Sequence, residues 1–211
     1  MNVRLADFDT IIFDLGQVII NLEPQKVFER IESLIGHAHP NIPELIEYTD
    51  FHLLYEKGML TTSDFIAACN DMIDAEISEE DFKDAWNLMV GDIPKKRLDL
   101  VSKLKETHQV LILSNTNEMH EVCFEQRLKD ENVGTRGFES FVHHPIYSHR
   151  IGRRKPDSNI YEYVIDKHLK EPSRALFLDD KPENVLGARQ CGLQSIQVQY
   201  PDQIHEILAN A

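Results

Sequence analysis

Widely separated segments of this 211-residue chain place reactive side chains at the ends of apolar runs. Asp14 follows Thr10-Ile11-Ile12-Phe13, Ser114 follows Val110-Leu111-Ile112-Leu113, and the pair Asp179-Asp180 follows Ala175-Leu176-Phe177-Leu178. Lys155, with Pro156 after it, lies between the second and third of these runs. One polar residue at a strand end is ordinary. Three such ends with an intervening lysine make a set that phosphoryl chemistry could use. A carboxylate can attack phosphorus or bind a hard cation, a hydroxyl or backbone N–H can donate to phosphoryl oxygens, and an ammonium offsets their charge. Adjacent acids packed against a sheet are costly unless a cation compensates them. Side chains also alternate along a strand, so Asp179 and Asp180 should point in different directions.

The elements that would position these residues follow from the pattern of apolar positions. Each run is apolar on both faces, as in a parallel strand covered on two sides, and Ser195-Ile196-Gln197-Val198 reads as a fourth. Helical patterns at 95–106, 157–168 and 182–191 alternate with them, the last stopped by Gly192. That alternation predicts an α/β fold with a doubly wound, Rossmann-like, mostly parallel sheet, whose ligand crevice lies beyond the carboxyl ends of the strands. Residues 20–94 break it. They hold no clear strand but four helical stretches, at about 24–35, 43–56, 62–73 and 78–90. Pro24 suits one helix start, and Ser78-Glu79-Glu80-Asp81 is a capping-box-like start of another. The expected organisation is a core of residues 1–19 and 95–211 with a four-helix-bundle-like cap, 20–94, over the strand ends, where it can exclude water.

Composition narrows the partners. Lys and Arg number 22 against 36 Asp and Glu, a formal charge of −14. Such a surface repels nucleic-acid phosphates, so no nucleic-acid partner is expected. No apolar stretch approaches the ~20 residues a membrane span needs, so no membrane role is expected either. The opening segment has no basic-then-apolar run, and the three cysteines (Cys69, Cys123, Cys191) form no C-x-x-C pair. A cytoplasmic protein fits, as a monomer or weak homodimer acting on a small phosphorylated metabolite. The basic stretch from His149 to Lys155 reads as a phosphate-attracting rim. His143, His144 and His149 lack a recognised metal spacing and read as structural or surface residues.

Four motifs carry a resemblance: Phe13-Asp14-Leu15-Gly16-Gln17-Val18, Leu113-Ser114-Asn115-Thr116, Arg154-Lys155-Pro156-Asp157, and Phe177-Leu178-Asp179-Asp180 with Asn184 following. In order and character they are similar to the motifs of the haloacid dehalogenase superfamily, over nearly the whole chain. The Asp-Leu-Gly form of the first motif and the helical insert resemble a phosphatase subgroup. It includes bacterial α-glucose-1-phosphate phosphatases and relatives of the amino-terminal phosphatase domain of soluble epoxide hydrolase. The resemblance implies a magnesium-dependent phosphohydrolase with Asp14 as nucleophile. Asp14, the Gly16 carbonyl, Asp179 and Asp180 would hold Mg2+, with Asp180 favoured as the direct carboxylate ligand of the pair. Ser114, the N–H groups of Asn115 and Thr116, and Lys155 would hold the phosphoryl oxygens.

Position 16 departs from the family pattern. Most phosphatases of the superfamily carry there an Asp that acts as general acid and base. Glycine keeps the backbone carbonyl but cannot protonate a leaving group, a contribution typically worth ~10²–10⁴-fold. The expected substrates are therefore phosphates with a comparatively good leaving group, such as hexose 1-phosphates, unless His52, Glu56 or Gln17 supplies the missing acid. Two rival readings are a dehalogenase, which needs no leaving-group proton but leaves the acidic pair unexplained, and a catalytically weak binding protein.

Overall fold

The computed structural model describes residues 3–46, 49–131 and 133–209. A five-stranded, all-parallel sheet forms its centre. In chain order the first elements are β1 (Thr10–Phe13), then α1 (Pro24–Ile35), α2 (Asp50–Glu56), α3 (Thr62–Met72) and α4 (Glu79–Asn87), then α5 (Lys95–Lys105), β2 (Gln109–Ser114) and α6 (Glu118–Asp130). They are followed by β3 (Thr135–Phe138), β4 (His144–Tyr147), α7 (Ser148–Ile151), α8 (Ser158–His168), β5 (Ala175–Asp179), α9 (Pro182–Gln190), β6 (Gln194–Gln197) and α10 (Gln203–Ile207). The sheet order is β4-β2-β1-β5-β6.

Alternation along β1 explains the two helical layers. Ile11 and Phe13 face a core that contains Leu98, Val101 and Leu104 of α5, Phe124 and Leu128 of α6, and Ile204 of α10. Ile12 faces the other way, among Ile160, Tyr161 and Val164 of α8 and Ala188 of α9. The chain runs from β1 outwards to β2 and β4, then returns to β5 on the other side of β1. That reversal opens a crevice at the carboxyl ends of β1 and β5, where Asp14 and Asp179 stand. The register Phe13↔Leu178 puts the two acids at the same level, and Asp14 N–H donates to the Leu178 carbonyl at 2.8 Å.

Helices α1 to α4 bury a second apolar cluster: Val27 and Ile31 of α1, Tyr55 of α2, Phe65 and Cys69 of α3, and Phe82 and Trp86 of α4. Phe65 stacks on Tyr55 at 4.3 Å and meets the edge of Trp86 at 5.1 Å. Capping defines three of the helix starts: Thr49, Thr61 and Ser78 each accept from a backbone N–H in the first turn. The expected stretch 43–56 is two pieces, a 3₁₀ turn Pro43–Ile46 and α2, and residues 47–48 between them lie outside the described residues.

Five elements had no counterpart in the sequence reading: β3, β4, α6 and the short α7 and α10. β4 contains Pro145, a residue confined to sheet edges because it cannot donate to a ladder, and it does lie at the edge. β3 is half exposed, and α6 is largely charged, with only four of its thirteen residues buried. Joining α6 to α4, the partly buried His120 stacks on Trp86 at 5.6 Å and meets the Trp86 carbonyl through Nε2 at 3.0 Å.

Burial pushes His120 down to about 4, although the hydrogen bond to Trp86 opposes the shift. In the unfolded chain the ring titrates near 6.5. Between these values the unfolded state binds the extra proton, so stability falls as pH drops through that window, by about 1–3 kcal/mol from this group. Urea midpoints at pH 7 and pH 5 should fall further apart in the parent than in His120→Asn. Equal differences would place the titrating group elsewhere.

Candidate functional site

Lys155 is the hub. Its side chain is 1% exposed, and its Nζ lies 2.7 Å from Asp14 Oδ1 and 2.6 Å from Asp179 Oδ2. Burial alone would lower the pKa of the ammonium; the carboxylates of Asp14 and Asp179 outweigh that and raise it. The Lys155 backbone is held as firmly. Asn115, just past β2, accepts from Lys155 N–H through Oδ1 and donates to the Lys155 carbonyl through Nδ2, both at 2.8 Å. A loop 40 residues away in the chain is thereby tied to the end of β2. The role expected for Asn115, donation to phosphoryl oxygens, concerns its backbone; its side chain is committed to Lys155.

The two acids at the end of β5 have different surroundings, as strand alternation requires. Asp179 is fully buried, and its oxygens accept from Lys155 Nζ, the Lys181 N–H at 2.8 Å, and Asn184 Nδ2 at 3.0 and 3.1 Å. Asp180 is half-buried and lines a cavity of about 420 Å³ together with Asp14, Gly16, Ser114, Asn115, Thr116, Lys155 and Lys181. Of the pair, Asp180 is therefore the acid open to a ligand, while Asp179 orients Lys155.

Asp14, Asp179 and Asp180 can bring one oxygen each within 4.8 Å of one another, and among the described residues they are the one such cluster. Burial, aided by repulsion from Asp179 and Asp180, pushes Asp14 up to about 7 against the pull of Lys155. Burial and then Asp179 likewise raise Asp180. Three carboxylates facing one ammonium carry excess negative charge. An all-oxygen set with that excess suits a hard divalent cation.

Several expectations need correction. The Thr116 N–H is not open to a ligand: it donates to Ser148 Oγ at 3.0 Å, and that hydroxyl donates back to the Thr116 carbonyl. The Asn115 N–H is left as the backbone donor of that turn, beside the Ser114 hydroxyl. The basic stretch is not a continuous rim. Arg150 and His149 pair with Glu121, and Arg153 stacks over Tyr163 at 4.9 Å. Only Arg154 and Lys155 of that stretch line the cavity. Of the three suggested substitutes for an acid at position 16, Gln17 donates its amide to the Leu22 carbonyl at 3.2 Å and is not in the cavity wall, whereas His52 and Glu56 are. A Cβ at Gly16 would come within 2.8 Å of Leu22 Cδ1, so an acid there would need Leu22 to move.

Removing the Lys155 charge leaves two buried carboxylates without their counterion. Lys155→Met should lower the unfolding free energy by about 3–5 kcal/mol in chemical denaturation. A loss below 1 kcal/mol would show that the ammonium is not the counterion of these acids.

The comparisons with known proteins agree with this geometry. A curated D-ribitol-5-phosphate phosphatase from Bacteroides thetaiotaomicron is 25% identical over 190 residues, 89% of this chain and 90% of that protein. Among solved structures, the HAD family enzyme bt-2542 of the same organism, in complex with magnesium and inorganic phosphate, superposes with a TM-score of 0.77 at 27% identity, covering 90% of this chain and 93% of the other. A HAD-like family hydrolase from Porphyromonas gingivalis reaches 0.82 at 25% identity, covering 96% and 97%. Residues 8–192 match the haloacid dehalogenase-like hydrolase family, and this chain, with its four motifs converging on one crevice, belongs to it.

Proposed function

We propose that the chain is a magnesium-dependent phosphomonoesterase acting on small phosphorylated metabolites through an aspartyl-phosphate on Asp14. The observation that carries the reading is the convergence of Asp14, Lys155 and Asp180 on one cavity floor. Asp14, Asp180 and the Gly16 carbonyl would hold Mg2+, with Asp179 bracing Lys155 behind them. Magnesium bound there would offset the charge that otherwise keeps a phosphate dianion away from the Asp14 carboxylate.

In this reading Asp14 Oδ attacks phosphorus as the P–O bond to the leaving alcohol breaks, and water then attacks phosphorus to free Asp14 and phosphate. Lys155 Nζ orients Asp14 and favours its ionised form against the effect of burial. The Ser114 hydroxyl and Asn115 N–H donate to the phosphoryl oxygens. Helices α1 to α4 serve as a cap, residues 20–94, over a core of 1–19 and 95–211. Support for that division comes from their separate apolar cluster and from the cavity walled by Leu53, Trp86 and Met89 opposite Asp14.

Two narrower substrate readings have distinct support. Glycine at position 16 favours sugar 1-phosphates, whose anomeric leaving group needs less help from an acid. The relative that is a D-ribitol-5-phosphate phosphatase favours a sugar-alcohol phosphate instead. A dehalogenase reading leaves Asp180 and the clustered charge without a use.

Phosphate release from a panel of phosphorylated metabolites should require Mg2+, stop with EDTA, and fall at least ~10³-fold in Asp14→Asn. Parent-like turnover by Asp14→Asn would overturn the mechanism. Within the panel, faster hydrolysis of hexose 1-phosphates than of hexose 6-phosphates supports the leaving-group argument, and the reverse order contradicts it.

A further inference from the structure

The loop that supplies Lys155 lies between two layers, and its side chains divide between them. Arg153 stacks over Tyr163 of α8, and Lys155 reaches Asp14 and Asp179, so both turn to the core. Arg154 and Asp157 turn instead to the end of α2. Arg154 Nε lies 3.0 Å and Nη2 2.9 Å from Glu56 Oε2, and both side chains are only 12% exposed. Asp157 Oδ2 lies 3.2 Å from the ammonium of Lys57, the C-cap of the same helix. Two consecutive residues, an acid and a base, thus meet a base and an acid that flank Lys155-Pro156.

The crossed charges specify one seating of α2. A shift by one residue would set Lys57 against Arg154, or Glu56 against Asp157, and like charges repel. Backbone packing beside the pairs is just as close. Gly58, at φ 64°, lies against the His149 carbonyl of α7, and a Cβ there would overlap that oxygen. The two pairs differ in weight. Lys57–Asp157 is 28% and 46% exposed and is weak by itself. Glu56–Arg154 is shielded, so breaking it leaves a nearly buried charge unpaired.

Little slack separates these ties from Lys155. Asn115 clasps the lysine N–H and carbonyl at 2.8 Å each, and the Asp157 N–H donates to the Arg154 carbonyl at 3.1 Å. A displacement of Arg154 or Asp157 is therefore passed to the backbone from which Nζ reaches the Asp14 carboxylate. We infer that Glu56–Arg154 and Lys57–Asp157 form an ionic latch through which the seating of α2 sets the position of Lys155, so that these four are positioning residues for the ammonium. The kinetic consequence rests on the phosphomonoesterase reading; the tie between helix and loop does not.

The test reverses the exposed pair, neither member of which lines the cavity: Lys57→Glu, Asp157→Lys and the two combined, with Glu56→Gln as a second probe. One readout is hydrogen exchange at the Lys155 amide on the loop and at the Gly58 and Met59 amides on the helix side, which donate to the Tyr55 and Leu54 carbonyls at 2.9 Å. The other is phosphate release with Mg2+. Each single reversal should speed exchange on both sides about three- to tenfold and lower kcat/KM by a similar factor, through kcat rather than KM. The double reversal should bring both readouts back to within about twofold of the parent. Glu56→Gln should speed exchange at Lys155 about tenfold or more. Single variants that match the parent overturn the latch, as does a double variant no better than its two singles combined. Faster exchange confined to the substituted side overturns it too, because a local defect does that and a latch does not. Exchange that moves on both sides with kcat/KM unchanged overturns the hold on Lys155. A parent that releases phosphate from no substrate instead sinks the phosphomonoesterase reading, and the exchange rates still decide the latch.

Discussion

An ammonium buried to 1% exposure must be paired, and nearly every feature around the crevice can be traced to that requirement. Lys155 meets Asp14 and Asp179, which the parallel register of β1 and β5 sets side by side. Asn115 fixes the lysine backbone, and Asn184 with the Lys181 N–H fixes Asp179. Tyr161 in turn donates to the Asn184 carbonyl at 2.8 Å, tying α8 to the start of α9. The Asp14 carboxylate is thus oriented by supports from several distant segments, which is how a site holds its geometry without relying on loop stiffness.

The same arrangement leaves the acids in excess. Lys155 can neutralise one carboxylate of the three, and burial already pushes Asp14 up to about 7. A protein with no use for a cation at this point would gain by replacing Asp180 with a neutral residue. Asp180 instead lines the cavity, half-buried and next to an Asp179 whose oxygens already accept from Lys155, the Lys181 N–H and Asn184.

How much of this could be read from the sequence depended on whether a signal was local. The strand ends were legible because Ile11, Ile12 and Phe13, or Leu176, Phe177 and Leu178, are apolar on both faces and stop at an acid. The positions of Asp14, Ser114 and Asp180 around one cavity follow from those ends, and Lys155 reaches it from the loop between α7 and α8. Edge strand β4 was not legible, since His144 and Pro145 dilute its pattern and leave Ile146 and Tyr147 as its only buried pair. Nor was α6, whose buried Glu121 is explained only by His149 and Arg150 beyond the next two strands. The same partners removed most of the expected basic rim. Ser148 occupying the Thr116 N–H, and Asn115 clasping Lys155, are contacts across more than thirty residues that no local pattern announces.

The claim on which the rest stands is that the Asp14 carboxylate itself bonds to phosphorus. Acid-quenching the protein during turnover, reducing the mixture with borohydride and mapping peptides by mass reads this directly, because an aspartyl-phosphate is reduced to homoserine while a free carboxylate is not. The account predicts homoserine at position 14 and at no other acid. Homoserine at Asp179 or Asp180, or an unmodified position 14 in samples that are releasing phosphate, would contradict it.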